Sequence, residues 1–243
     1  MPSHSMQDKV ANLVRWMRTR TQEARAKGGV FGVSGGVDSA LVLALSKKAW
    51  GDDCLGLIMP CHSLPEDAED AMMLLEHFSV DYRVVDLTPS YDALLASLSD
   101  MEEPSVLAMA NLKPRLRSMT LYYVATLYNY LVVGSSNRAE IHVGYFTKHG
   151  DSAVDMLPLA NLTKAQVWEM SRYLGVPDKI VEKTPSAGLW RGQTDEEEMG
   201  LLYKDLDAYL SGNPVSPGVR NKIEEMHRRT EHKRRMPYIP DLD

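Results

Sequence analysis

Two rhythms of apolar positions alternate along this chain. Short apolar runs at 30–33 (VFGV), 54–60 (CLGLIMP) and 130–136 (YLVVGSS) have the length of buried strands, and 81–87 (DYRVVDL) alternates like another. Helical patterns lie between or before them at 10–24, 37–48, 66–78 and 90–98. Strands that alternate with helices of this length predict βαβ units, hence an α/β fold with a doubly wound parallel sheet covered on both faces. From 102 to 131 the pattern is long and helical, and Pro114 is expected to break or kink it. The stretch 137–158 is rich in glycine, charge and aromatics and poor in helical period, so it predicts an irregular functional loop, mobile over 141–160 without ligand. Clear punctuation follows. Thr163 and Gln166 form a capping box for a helix in 161–177, Gly175 stops it, and Pro177 prevents its return. A second box, Thr194 with Glu197, starts a helix in 194–210, and a turn-rich break at 211–218 precedes a last helix over 219–235. No repeat and no linker divides the chain, so one domain over 1–243 is expected.

Bulk composition narrows the classes. With 243 residues, 44% hydrophobic and 25% charged, the chain reads as an ordinary soluble globular protein able to bury one substantial core. Its net charge of −6 and pI near 5.7 argue against broad nucleic-acid binding but leave room for a local basic pocket. Cys54 and Cys61 give neither a disulfide framework nor a zinc pattern and read as reduced thiols. The opening MPSHSMQDKV lacks the basic start and apolar core of a secretory leader, and no apolar run is long enough to span a bilayer. A cytoplasmic protein with no membrane partner is the expectation.

The chemistry concentrates first at 34–39, SGGVDS, between the first strand and the helix after it. A glycine pair there lets the backbone turn sharply and leaves no Cβ between its N–H groups and a ligand. The helix that follows begins with unpaired N–H donors and a positive dipole end, which favour a phosphate. No lysine follows the glycines, so this is not the Walker pattern; instead Asp38 sits in the first helical turn. A carboxylate beside phosphates makes sense where a magnesium ion bridges the two.

SGGVDS resembles the pyrophosphate-binding loop of the ATP pyrophosphatases, enzymes that cut ATP between its α and β phosphates. Three further stretches resemble one branch of that superfamily, the NAD synthetases: 134–167 (GSSNRAEIHVGYFTKHGDSAVDMLPLANLTKAQV), 185–200 (PSAGLWRGQTDEEEMG) and HKRR at 232–235, all in the family's order. The resemblance covers about residues 30 to 236 and implies an adenine nucleotide α-hydrolase-like fold. It also implies ATP-dependent amidation of deamido-NAD by ammonia, through an adenylated carboxylate, to give NAD, AMP and pyrophosphate. The cofactor implied is Mg2+, with ATP as co-substrate. The assembly implied is a homodimer, for which 105–131 is the interface candidate. The chain has no room for the amidase domain of glutamine-using members, so free or separately supplied ammonia is the expected nitrogen donor.

Carried over position by position, the resemblance places ATP against Gly32, Val33, Ser34, Gly35, Gly36, Val37, Asp38, Ser39, Ser135, Lys164 and Ser186. Asp38 and Glu140 would hold magnesium, and Arg115, Lys148, Asp155, His232 and Lys233 would contact deamido-NAD. Asp151 would receive ammonium and help it lose a proton, while Ser34 and Lys164 would serve the reacting phosphates. Read without the resemblance, several of these are bland. Glu140 is a solvated loop residue, Lys164 a surface charge on a capped helix, Asp151 part of a Gly-Asp turn, and 228–235 a solvated basic helix end. Three positions depart from the family pattern. Pro114 replaces a frequent alanine and is expected to shift Arg115 slightly, Ser186 keeps the hydroxyl of the commoner threonine, and Gly188 removes a frequent aspartate. Two other classes fit the loop alone. A tRNA- or purine-modifying enzyme should show a basic face or sulfur-transfer cysteines, and an ATP-binding sensor need not keep both Asp38 and Glu140.

Overall fold

The computed structural model of the chain describes residues 5–186, 192 and 194–240. Four strands, β1 (Gly28–Gly32), β2 (Cys54–Ile58), β3 (Tyr82–Val84) and β4 (Tyr130–Val132), form one sheet in the order β3-β2-β1-β4. Every pairing is parallel: β1 meets β2 from Gly29↔Cys54 to Gly32↔Leu57 and meets β4 from Gly28↔Tyr130 to Val30↔Val132. The helices are α1 (Met6–Glu23), α2 (Val37–Trp50), α3 (Pro65–His77), α4 (Thr88–Ser97), α5 (Val106–Tyr128) and α6 (Arg138–Val143). They continue with α7 (Lys164–Tyr173), α8 (Asp178–Val181), α9 (Asp195–Met199), α10 (Tyr203–Leu210), α11 (Pro217–Arg229) and α12 (Glu231–Arg234).

Successive residues of a strand face opposite sides of a sheet, and β1 shows what that means here. Val30 packs with Leu57, Tyr91, Leu121 and Val132 under α4 and α5, while Phe31 packs with Met17, Leu41, Leu45 and Met170 under α1, α2 and α7. A helix buried on nearly all sides should be apolar all round. α2 is such a helix: Val37, Leu41, Val42, Leu43, Leu45 and Ala49 are all buried. A third cluster, with Ala139, Val143, Tyr203, Leu206 and Ile223, joins α6, α10 and α11 beyond the β4 edge. Strand β1 then turns into α2 where the sheet order reverses from β2 to β4, the position at which open α/β sheets bind ligands.

Some expectations are corrected. The 137–158 stretch is not wholly irregular, because Asn137 and Glu140 make a reciprocal capping box and Gly144, at φ +70°, caps the other end of α6. A six-residue helix is too short to print a 3.6-residue period on a sequence. Helix α5 continues through Pro114 without a break, the ring packed against Gly150. The helix expected within 194–210 is two, α9 and α10, parted at Gly200 with φ +59°. Thr194 accepts from Glu197 N at 3.3 Å, but the Glu197 carboxylate takes the Thr194 hydroxyl at 2.8 Å. The departure at Gly188 lies outside the described residues.

Candidate active site

The turn after β1 is stitched by its own serines. Ser34 N donates to Ser39 Oγ at 3.2 Å, the Ser39 hydroxyl donates to Gly36 O at 2.9 Å, and the two hydroxyls lie 3.2 Å apart. Gly35 has φ +77°, and a Cβ there would meet Asp67 O at 2.8 Å and Asp70 Cβ at 2.9 Å. The corner therefore requires glycine for both backbone conformation and close approach to α3. Behind it, Lys183 reaches Asp67 at 2.9 Å and Asp70 at 2.7 Å, tying the segment after α8 to α3. Gly36, the N-cap of α2, brings no side chain to the helix start, so the first-turn N–H groups point free of any side-chain cap.

Three elements converge beside that corner. Asp38 comes from the first turn of α2, Asn137 and Glu140 from the start of α6, and Lys164 from the start of α7. The Asn137 amide donates to Asp38 Oδ1 at 3.1 Å and to Glu140 Oε1 at 2.6 Å, so one NH2 group bridges both carboxylates. The Lys164 ammonium lies 2.5 Å from Asp38 Oδ2 and 3.9 Å from Glu140 Oε1, in a side chain only 1% exposed. Burial and the neighbouring Asp38 charge raise the Glu140 carboxyl far above the usual range. Burial alone would lower Lys164, but the carboxylates of Asp38 and Glu140 outweigh it and the net shift is upward. Two hard oxygen donors sharing one cation already in place suit a divalent ion of the magnesium type.

The other expected residues separate into a second group. Arg115 donates to Lys148 O at 3.4 Å, Lys148 to His232 O at 2.6 Å, and Lys233 to Gly144 O and Phe146 O, each at 2.8 Å. His232 itself is exposed at the start of this chain of contacts. Asp151 is an exposed residue whose carboxylate turns inward: it accepts from Thr147 N at 2.8 Å, and burial raises it above the usual carboxylate range, against the opposing pull of that N–H and the Lys233 charge. Asp155 accepts from Val132 N at 2.8 Å and from the Tyr122 hydroxyl at 3.2 Å, which makes it an anchor of β4 and α5. Val33 and Val37 form the buried flanks of the serine corner, half-buried Gly32 leads into it, and Ser135 lies two residues before Asn137. Ser186 is exposed and takes part in a contact of its own.

Sequence reasoning missed Asn137, Asp195 and Tyr203. The Asn-x-x-Glu spacing at 137–140 is a capping signature that could have marked the first; nothing in the local pattern marks the other two.

A parallel sheet with a serine–glycine corner at its switch point, and a carboxylate in the helix turn behind it, define an α/β nucleotide-binding protein of the ATP pyrophosphatase type. The chain belongs to the NAD synthase family, whose model matches residues 9–237. It is 53% identical over 238 residues to the NH(3)-dependent NAD(+) synthetase of Carboxydothermus hydrogenoformans, covering 97% of this chain and 98% of that one. Among solved structures it matches the NMN synthetase of Francisella tularensis at TM-score 0.95 and 40% identity, covering 99% of this chain and 100% of the other. It also matches an NH3-dependent NAD synthetase of Campylobacter jejuni, in complex with the nitrate ion, at TM-score 0.82 and 25% identity, covering 98% of this chain and 100% of the other.

Proposed function

We propose that the chain is an ammonia-dependent ligase that converts deamido-NAD to NAD. A nicotinate carboxylate oxygen attacks the α-phosphorus of ATP, pyrophosphate leaves, and the carboxyl is held as a mixed anhydride with AMP. Ammonia then attacks the carbonyl carbon and AMP departs. The single observation that carries this reading is the buried meeting of Asp38, Asn137, Glu140 and Lys164 beside a phosphate-shaped corner. Preorganised charge of that kind favours a transition state in which phosphoryl oxygens gain negative charge. Asp38 and Glu140 would hold Mg2+, which when bound supplies charge neutralisation at the phosphates. Lys164 neutralises the same oxygens from the protein side, and the serine corner orients the leaving pyrophosphate.

On the acceptor side, Arg115, Lys148, His232 and Lys233 supply the cations that a doubly charged diphosphate bridge needs. Asp151 attracts ammonium and takes its proton before attack. Helix α5 exposes Met119, Tyr123 and Leu127 at i, i+4 and i+8, an apolar stripe suited to a homodimer interface. Sedimentation that returns only a monomer at micromolar concentration sinks that assignment. The free, buried Cys54 and Cys61 suit a reducing, cytoplasmic setting. No helix among the described residues is long and apolar enough to cross a membrane.

The likeness to an NMN synthetase at TM-score 0.95 favours one alternative, in which the acceptor is the mononucleotide of nicotinate. Parallel assays with each acceptor, ATP, Mg2+ and ammonium decide between the two. Turnover of deamido-NAD at least about tenfold above that of the mononucleotide supports the main reading, since each factor of ten reflects about 1.4 kcal/mol of discrimination. Asp38→Ala should abolish AMP and pyrophosphate release with either acceptor, and glutamine should not replace ammonium.

A further inference from the structure

Tyr203 is fully buried beneath the nucleotide side of the site, at 1% exposure. Its hydroxyl lies 3.2 Å from Glu140 Oε1 and 2.9 Å from Asp195 Oδ2, and the Lys164 ammonium sits 4.6 Å from its ring centroid. A phenol carries one proton and can donate to one carboxylate at a time. A second phenol repeats the arrangement: the Tyr145 hydroxyl is 3.1 Å from Asp195 Oδ1 and 2.7 Å from Glu198 Oε2. Carboxylates and phenols thus alternate from Glu140 through Tyr203, Asp195 and Tyr145 to Glu198. The string runs from the floor of the site to α9, just beyond the 185–194 segment on which Ser186 lies.

Among the described residues, the other hydrogen bonds to the Glu140 carboxylate come from Asn137, within the same helix start. Tyr203 supplies the hydrogen bond from a different element, beside the longer ion pair with Lys164 at 3.9 Å. Its ring also gives the Lys164 ammonium an aromatic face in addition to Asp38.

We propose that Tyr203 is a positioning residue for the reaction: its hydroxyl fixes the Glu140 carboxylate toward the metal position, its ring seats Lys164, and Asp195 and Tyr145 keep the phenol aimed. The inference rests on the function proposed above. Groups one layer behind a metal ligand orient it, and their loss weakens metal binding without removing a ligand.

Tyr203→Phe keeps the ring over Lys164 and deletes the hydroxyl with its contacts to Glu140 and Asp195, so it separates the hydroxyl from the ring. Mn2+ binding to the ATP-saturated protein, followed by electron paramagnetic resonance, should weaken about tenfold in this variant, and the Mg2+ concentration for half-maximal rate should rise about tenfold. The KM for deamido-NAD should stay within twofold of native, and the melting temperature should show the variant folded. Asp195→Asn should shift metal binding in the same direction by less. If Tyr203→Phe is folded and binds Mn2+ as the native protein does, Tyr203 is only a core residue and the proposal fails. Native protein that binds no Mn2+ in the presence of ATP also overturns it. Failure of the functional reading looks different: Mn2+ binding would depend on Tyr203 while no acceptor yields an amide.

Discussion

The two sides of the site are held by different kinds of partner. On the nucleotide side, side chain meets side chain: Asp38, Asn137, Glu140, Lys164 and Tyr203 satisfy one another, with Lys164 at 1% exposure. On the acceptor side, Arg115, Lys148 and Lys233 rest on main-chain carbonyls, Asp151 accepts from a main-chain N–H, and His232 is exposed. Removing a member of the first group leaves a buried charge without its partner, which is costly. Removing a member of the second leaves a carbonyl that water can serve, which costs little. The lesson is that the two groups should separate cleanly in experiments that read stability and activity together.

The largest break is Lys164→Met, which leaves the half-buried Asp38 and Glu140 side by side without their buried cation. It should lower unfolding stability by about 3–5 kcal/mol in metal-free urea titrations and cut pyrophosphate release by roughly a thousandfold. Added Mg2+ with ATP should restore part of the stability and little of the rate. Gly35→Ala comes next, because the residue sits at φ +77° with α3 backbone 2.8 Å from where a Cβ would stand. A loss of about 2 kcal/mol and a raised KM for ATP are expected, with KM for the acceptor unchanged.

Acid tests the acceptor side's scaffold. Burial, with the positive charges of His227, Arg234 and Arg138, lowers the His142 imidazole from 6.5 to about 4, and its ring stacks on His227 at 4.3 Å. The unfolded chain thus binds the proton more readily, so this contribution is complete above pH 6.5 and is lost as pH falls toward 4. About 1–2 kcal/mol should disappear across that window, discounted for the ring's partial exposure, and His142→Gln should flatten this limb of the pH–stability curve. The smallest stability effect belongs to Lys233→Ala and Lys148→Ala. Each should stay within about 1 kcal/mol of native while raising KM for the acceptor about tenfold and leaving KM for ATP alone. A Lys233→Ala chain as unstable as Lys164→Met would erase the distinction between the two sides.

What the sequence made legible follows the length of the signal. The alternation of apolar strands and helices predicted the parallel sheet, and the strand–SGG–helix corner was plain because glycine and serine mark the turn directly. Helix α6 was not legible, since six residues cannot complete two turns of periodicity even though its cap pair stands in the sequence. Pro114 does not break its helix, because the propensity penalty of one residue is overridden when its ring packs, as it does against Gly150. Lys164 was readable as a surface charge on a capped helix, of which it is the first residue. Its inward turn was not, because the acids it meets lie 126 and 24 positions away. Tyr203 and Asp195 gave no local sign, as their role exists only where α6, α7, α9 and α10 meet.

The carbonyls around the end of α6 carry one more implication. Those of Ile141, His142, Val143 and Gly144 are met by Arg234, His227, Thr230 and Lys233, and Lys233 stands 89 positions beyond Gly144. During synthesis on the ribosome, Asp38, Asn137, Glu140 and Lys164 have all emerged while these donors are still untranslated. The phosphate-gripping half can therefore assemble on a nascent chain, whereas the dinucleotide half must wait for 227–234. A stop just after α10 would leave every one of these phosphate-side residues in the polypeptide and remove all four donors that hold the end of α6.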